Sequence, residues 1–259
     1  MEKLYYFIGA SLPKIEKISN KLERSFEDLM FLYKMNLSDK DLLCLKSFRT
    51  YVDIMNLKYL WQHQKNVFDP RGNLQGKEFD ENLLIETDLP QYVFDFIEEY
   101  DTDKSRLSNF SKLLTKFFDD RIENENGFLE KYFSFEKQMK IIILALRAKT
   151  FKKDILFELR FEDLKNPLVA SLIAQKDQEK IIVPKKFSKL ENIYYDNIEN
   201  PYLLCKNLII YKLDFFTEII EQKPFSIDFL LGYLAIFMLI EDWQNLDQKE
   251  AKGIIHTHL

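Results

Sequence analysis

Residues 51–61 read Tyr51-Val52-Asp53-Ile54-Met55-Asn56-Leu57-Lys58-Tyr59-Leu60-Trp61. An acid, an amide and a base, Asp53, Asn56 and Lys58, share one short stretch of an otherwise apolar run, with Asp53, Asn56 and Leu57 within one helical turn of each other. Upstream, Ser38-Asp39-Lys40-Asp41 carries the residue types that cap a helix. The spacing of Leu43, Leu45, Phe48, Val52, Met55 and Tyr59 then predicts a helix from about Leu42 to Gln64 with these residues on its apolar face.

Beyond this stretch, the same periodicity recurs along most of the chain. Ile15, Ile18, Leu22, Phe26, Leu29, Met30 and Tyr33 predict an amphipathic helix over Lys14–Met35. The preceding LYYFIGASLP, from Leu4, reads as an ordered apolar segment stopped by Pro13, with Ser11 available to cap the next helix. From Phe68, FDPRGNLQG concentrates glycine and proline, and a mobile connector belongs there. Leu89-Pro90 opens a helix that runs to Tyr100. Further helices are expected at Leu107–Asp119, Gly127–Lys152, Leu164–Ala174, Pro201–Ile220 and Ser226–Asn245. The β-like run Lys180–Pro184 is too short to carry a sheet. This pattern reads as a single helical domain over residues 1–259, with loops near 66–88 and 176–190.

Composition agrees. Six glycines and seven prolines in 259 residues fall below the usual shares of roughly 7% and 5%, which favours long helices. The 23 phenylalanines and 13 tyrosines supply large buried areas for helix-on-helix contacts. A formal charge of −5 and a pI near 5.5 argue against a nucleic-acid binder, which needs a basic footprint. The longest uncharged apolar stretch, Phe229–Ile240, is well short of the roughly 20 residues that span a bilayer. The apolar run after Met1-Glu2-Lys3 is too brief and too aromatic for a secretory signal, so a cytoplasmic location is expected.

Catalytic and ligand signatures are sparse. No phosphate-binding glycine loop, dinucleotide turn, H-E-x-x-H helix or serine elbow occurs, and no cofactor is expected. Cys44 and Cys205 lie far apart, which reads as reduced, buried thiols. His256 and His258 have a metal-compatible H-x-H spacing, but a frayed terminus is the simpler reading, and His63 stands alone. Adjacent acids at Glu98-Glu99, Asp119-Asp120 and Glu241-Asp242 would need desolvation to serve as acid and base, and such pairs arise by chance among 42 acids. Lys152-Lys153 and Lys185-Lys186 read as solvated faces that could also meet an acidic partner.

The acid-bearing pattern of 51–61 has two weaker echoes. Glu136 opens an apolar helix that reaches Arg147, and Glu241 and Asn245 close the helix that contains Tyr233–Ile240. Acids near helix starts also answer the helix dipole, so three ordinary amphipathic helices account for the spacing equally well.

Asp53-Ile54-Met55-Asn56-Leu57-Lys58 resembles the D-x-x-N-[LI]-K motif of the C subunit of archaeal and bacterial V/A-type rotary ATPases, called subunit d in eukaryotes. YYFIGASLP from Tyr5, FEKQMKIIILALRAK from Phe135 and FLLGYLAIFMLIEDWQNLDQKEAKGII from Phe229 resemble a divergent bacterial family associated with V-type ATP synthase. The resemblance implies an all-α protein, elongated or funnel-shaped, built from three related helical units. It would be a non-catalytic central-stalk subunit joining the rotor shaft to the membrane-ring subunits, peripheral to the inner membrane through protein contacts. By that likeness Asp53, Asn56 and Lys58 match the first unit's motif, Glu136 and Arg147 the second's, Glu241 and Asn245 the third's, and they join neighbouring helices or line the socket for the shaft. Trp61, Trp243 and Tyr233 are candidate interface anchors. The sequence departs from the pattern in the second unit, where Met139–Ile141 supply no asparagine, and in the third, where no arginine follows. The alternative is a free-standing helical adaptor for other proteins.

Overall fold

The computed structural model describes residues 4–15, 18, 22–64, 67–74, 79, 81, 83 and 85–246, and among these the regular structure is all helical, with no strand. Where the sequence reads as a single helical domain, the chain gathers into two compact units. A mid-chain unit comprises residues 26–130, and a terminal unit comprises residues 1–25 and 131–259.

The mid-chain unit contains α1 (Phe26–Asn36), α2 (Asp39–Trp61), α3 (Gln91–Glu99) and α4 (Asp103–Asn124). Helices α2 and α3 both pack on α4. Ser38 caps α2 by accepting from the Asp41 N–H, as the sequence signals. At α4, Thr102 and Ser105 form a reciprocal capping box, satisfying two backbone donors that the helix start would leave unpaired. Aromatic rings fill the space between: Trp61 lies against Phe96 and Phe110, and Tyr51 stacks on Phe117 at 5.6 Å between centroids. Phe48, Ile54, Leu57, Phe117 and Phe118 are buried, whereas Leu43, expected on the apolar face, is exposed.

The terminal unit holds the short helix Tyr6–Ser11, then α5 (Gly127–Thr150), whose residues from Lys131 belong to this unit, α6 (Ile155–Glu158), α7 (Pro167–Ile173), a 3-10 turn at Lys185–Phe187, α8 (Ser188–Asn197), α9 (Pro201–Glu221) and α10 (Ile227–Asn245). Helix α9 packs on both α8 and α10. Phe135 of α5 stacks on Phe215 of α9 with centroids 3.9 Å apart and planes within 10°. The α9–α10 turn places Phe225 in the left-handed region, at φ 64°. There its carbonyl accepts from the Tyr5 N–H at 2.7 Å. Gly9 lets the helix Tyr6–Ser11 approach this turn, because a Cβ at that position would lie 2.6 Å from the Phe225 ring.

Several local expectations are corrected. The helix expected from Lys14 begins at Phe26: described residues between Pro13 and Ser25 are not helical. Ile15, Ile18 and Leu22 have the right period, but Ser25-Phe26-Glu27-Asp28 has the Ser-x-x-Asp spacing that marks a helix start. Ser11 ends a helix instead of starting one, donating its hydroxyl to the Ile8 carbonyl at 2.8 Å. The loop expected over 66–88 includes helical residues at Phe79, Glu81, Leu83 and Ile85, and the loop expected over 176–190 is cut short by the 3-10 turn and α8. Near that point Ile181 and Val183 are buried and Ile182 is exposed, the alternation of a strand without a partner strand. The Gln175 side chain supplies the missing pairing, accepting from the Ile182 N–H at 2.8 Å and donating to its carbonyl at 3.0 Å.

Within the terminal unit, Tyr233 is buried on α10, and burial pushes its phenol up to about 12, with Arg24 pulling it partly back and Glu23 adding to the rise. A raised phenol favours the neutral form in the fold. Its stabilising contribution is therefore complete below the unfolded pKa near 10 and is lost as pH rises through the folded value. Ultraviolet titration of the protein against its Tyr233→Phe variant is expected to show one phenol ionising near 12. A difference spectrum already complete near the ordinary value of about 10 would mean that the ring is solvated.

Candidate functional site

The acid and amide of 51–61 meet the loop that follows their own helix. Asp53 and Asn56 are each 1% exposed. One α2 face carries Arg49, Asp53 and Asn56, four and three residues apart, so the three side chains rise on one side. Asn56 presents an acceptor and a donor, which complement a peptide group: its Oδ1 accepts from the Asp69 N–H and its Nδ2 donates to the Asp69 carbonyl, both at 2.9 Å. Asp53 Oδ1 accepts from the Leu74 N–H at 3.1 Å, and Oδ2 accepts from Asn73 Nδ2 at 2.8 Å. Arg49 donates to the Arg71 carbonyl at 2.8 Å and to that of Gly72.

The loop is shaped to fit. Asp69 accepts from the Arg71 backbone N–H at 2.9 Å and pairs with the Arg71 guanidinium at 2.6 Å, a turn that Pro70 stiffens. Gly72 is buried against Asp53: an added Cβ would lie 2.3 Å from Asp53 Oδ1. Burial pushes the Asp53 carboxyl above its ordinary value, and the Leu74 and Asn73 donors and the Arg49 guanidinium pull it partly back. The described residues 67–74, expected as part of a mobile connector, are thus held to α2 by all three polar side chains.

The other candidates are placed differently. Lys58 is half-buried, its ammonium 5.9 Å from the centre of the Phe110 ring. Glu136 is buried on α5 and pairs with Lys212 of α9 at 2.8 Å. One turn further along α5, Lys140 and Lys137 meet the buried Glu162 at 2.9 and 3.6 Å. Arg147 is half-buried beside Tyr194, and its charge lowers that phenol, which burial raises. Glu241 is half-buried and Asn245 exposed at the end of α10. The three acids therefore have different surroundings: Asp53 is bonded to a loop, Glu136 to a neighbouring helix, and Glu241 lies half-buried. Arg49, Asn73, Gly72, Glu162 and Lys212 complete these clusters, and none of them stands out in the sequence as a site residue. Gly72 gives a signal as a loop glycine, but the spacing of the others reveals nothing of their partners.

Trp61 and Tyr233, expected as interface anchors, are buried, and Trp243 is half-buried with its ring 5.1 Å from that of Tyr202. His63 lies at the end of α2, 3.5 Å from Asp103, while His256 and His258 fall outside the described residues. Glu98, Glu99, Asp119 and Asp242 are exposed, and Glu99 is paired with Lys112. Cys44 and Cys205, expected as buried thiols, are free and only half-buried, and burial raises the Cys205 thiol. Among the described residues no cluster of three or more His, Cys, Asp or Glu could hold a metal ion. Among them, too, no helix is long and apolar enough to cross a membrane.

The chain is similar to an uncharacterized protein of Chlamydia trachomatis serovar D, at 28% identity over 90% of this chain and 89% of that protein. An uncharacterized protein of Chlamydia muridarum is 27% identical over 97% of this chain and 96% of its own length. One of Chlamydia pneumoniae is 26% identical, covering 90% and 89% respectively. No solved structure matches significantly. The family model described as "Protein of unknown function (DUF2764)" matches residues 1–257, and the chain belongs to that family.

Proposed function

We propose that this protein is a non-catalytic coupling subunit of a V/A-type rotary ATPase, joining the rotor shaft to the membrane ring by protein contacts on the cytoplasmic side. The main support is how the motif residues of 51–61 are used. Asp53 and Asn56, in the stretch that resembles the C-subunit motif, join Arg49 in bracing a loop against α2. A loop tied to its own helix by buried polar contacts keeps its place under load, as torque transmission requires. On this reading Asp53 and Asn56 shape the subunit from within, and contacts with partners fall to other residues. Arg147 suits that role: it has no ion-pair partner among the described residues, and arginine is a frequent interface anchor.

A free-standing adaptor is the second reading. It is favoured by Phe31 and Met35, four residues apart on α1 and both exposed, since large exposed apolar side chains mark surfaces that meet other proteins. A mild-detergent pull-down of tagged protein from its native cells, with partners identified by mass spectrometry, separates the two. Coupling predicts recovery of ring and shaft subunits at comparable abundance, with recovery reduced in an Arg147→Glu variant. Repeated capture of other partners, with the ATPase intact elsewhere, would leave the adaptor.

A further inference from the structure

Side-chain amides pair peptide groups at two places in this chain. Asn56 holds the N–H and the carbonyl of Asp69, both at 2.9 Å, and Gln175 does the same for Ile182, at 2.8 and 3.0 Å. A third set of amides lines a cleft. Between α8 and α9, which pack together in the terminal unit, lies an open cleft of about 460 Å³, within the roughly 300–1,000 Å³ of ligand sites. Two contacts tie its walls. Lys189 of α8 pairs with Asp214 of α9 at 2.6 Å, and Asn207 of α9 donates to Asn197 of α8 at 3.2 Å. From Lys189 to Asn197 the axis of α8 rises about 12 Å, at roughly 1.5 Å per residue.

Ser188, Asn192 and Asp196 line the cleft from α8, while Ile193 and Ile210 supply apolar surface. Among the described residues the side chains of Ser188, Asn192 and Asp196 take part in no hydrogen bond or ion pair, and Asn207 keeps its amide oxygen uncommitted. A primary amide offers an acceptor and a donor side by side, the complement of one peptide group. The span of about 12 Å matches three to four residues of extended chain, at roughly 3.3 Å each. The charges on the lining are Lys189, committed to Asp214, and Asp196. A phosphate or carboxylate therefore finds no free cation among the lining residues, whereas a basic side chain finds an acid. No aromatic ring stands among them either, which leaves the flat face of a sugar nothing to stack on.

We infer that the α8–α9 cleft binds an extended segment of another polypeptide. Asn192 pairs one of its peptide groups, as Asn56 and Gln175 do within the chain, Ile193 and Ile210 receive an apolar side chain, and Asp196 meets a lysine or arginine. This surface goes beyond the coupling role and stands without it, since both walls belong to the terminal unit and the test uses no ATPase subunit.

The test is selection from a phage-displayed library of random heptapeptides on the purified full-length chain, with counter-selection on its Asn192→Ala variant. Asn192 is exposed, so the variant is expected to keep the circular dichroism and melting temperature of the parent. Peptides that enrich on the parent alone are expected, with lysine or arginine at a shared position, and Asp196→Asn is expected to remove that preference. By fluorescence anisotropy a labelled peptide from this set is expected to bind the Asn192→Ala variant about tenfold more weakly, the loss that goes with two hydrogen bonds. Methylating the peptide's backbone nitrogens one at a time is expected to weaken binding to the parent at the position that Asn192 pairs, and that penalty is expected to vanish in the variant. The inference is overturned if no peptide enriches on the parent over the variant, or if every methylation penalty is the same in the two chains, which would assign Asn192 a contact with a side chain. Neutral saccharides bound from a glycan array by the parent and not by the variant, with no peptide selected, would also overturn it by assigning the cleft to a sugar.

Discussion

Replacing Asp53 with alanine is expected to lower the stability of the mid-chain unit by about 2 to 3 kcal/mol. Asp53 contributes two acceptors to the loop, and the two losses are unequal. Asn73 Nδ2 retains the Lys46 carbonyl at 2.9 Å, so it keeps a partner. The buried Leu74 N–H is stripped of the carboxylate that accepts from it, and an unpaired buried donor costs about 1–3 kcal/mol. Arg49 also loses the acid that acts on it most strongly, although Asp69 still offsets part of its charge. Relief from burying the Asp53 carboxyl, whose pKa is raised, works in the other direction and keeps the total below the cost of a bare cavity plus the orphaned Leu74 donor.

The same contact can be tested from the loop side. Gly72→Ala places a methyl group where Asp53 Oδ1 already sits, and overpacking of this kind costs about 1–3 kcal/mol. If the clash is with Asp53 alone, removing that carboxylate opens room for the methyl. The double variant Asp53→Ala/Gly72→Ala is then expected to be about 1 kcal/mol or more stabler than the sum of the single losses. Urea unfolding followed through Trp61 fluorescence in a Trp243→Phe background reads the mid-chain unit. Strict additivity would show that Gly72 is needed for some other reason, and that the loop is not seated on Asp53.

This clamp shows where the sequence can be read and where it cannot. The period of Leu45, Phe48, Val52 and Tyr59 locates the helix, and Ser38 marks its start to within a few residues. Asp53 and Asn56 on it are visible as an anomaly, because an acid and an amide in an apolar run need partners. Those partners are mostly backbone N–H and carbonyl groups of 69–74, which every loop possesses, so nothing in the residue types announces them. The turn residues Asp69, Pro70 and Gly72 signal a loop, and a loop read in isolation suggests mobility. Only folding brings it beneath Asp53. Elsewhere the differences share a cause: Ile15, Ile18 and Leu22 keep a helical period through a stretch that is not helical where it is described, since periodicity does not fix which backbone carries the side chains. Helix α8 is hidden because Lys185-Lys186 and the preceding extended run have the marks of a loop, although Leu190 and Tyr194 stand four apart and are buried.

The buried charges of the terminal unit give the largest expected loss. Glu162 is buried, and it faces Lys140 at 2.9 Å and Lys137 at 3.6 Å, whose side chains are themselves largely covered. Removing the shared carboxylate in Glu162→Ala leaves two ammonium groups close together with their common anion gone. Breaking a buried ion pair from one side costs about 3–5 kcal/mol. Lysine stems can reposition their heads toward water, which places the expectation near the lower end, at about 3 kcal/mol. Glu162→Gln keeps the volume and one acceptor while deleting the charge, and it is expected to lose roughly half as much, because the Lys140 bond survives as a weaker one to a neutral acceptor. The ion cluster is not expected to be worth that amount in its own right. Replacing all three residues with apolar ones, Lys137→Met/Lys140→Met/Glu162→Leu, removes the desolvation cost together with the attraction and is expected to return stability to within about 1 kcal/mol of the parent. Trp243 fluorescence during urea unfolding, in a Trp61→Phe background, follows this unit. Recovery in the triple variant would mean that the cluster serves the pairing of α5 with the 155–165 segment more than it serves stability. A triple variant as unstable as Glu162→Ala would mean instead that packing around position 162, and not charge, sets the cost.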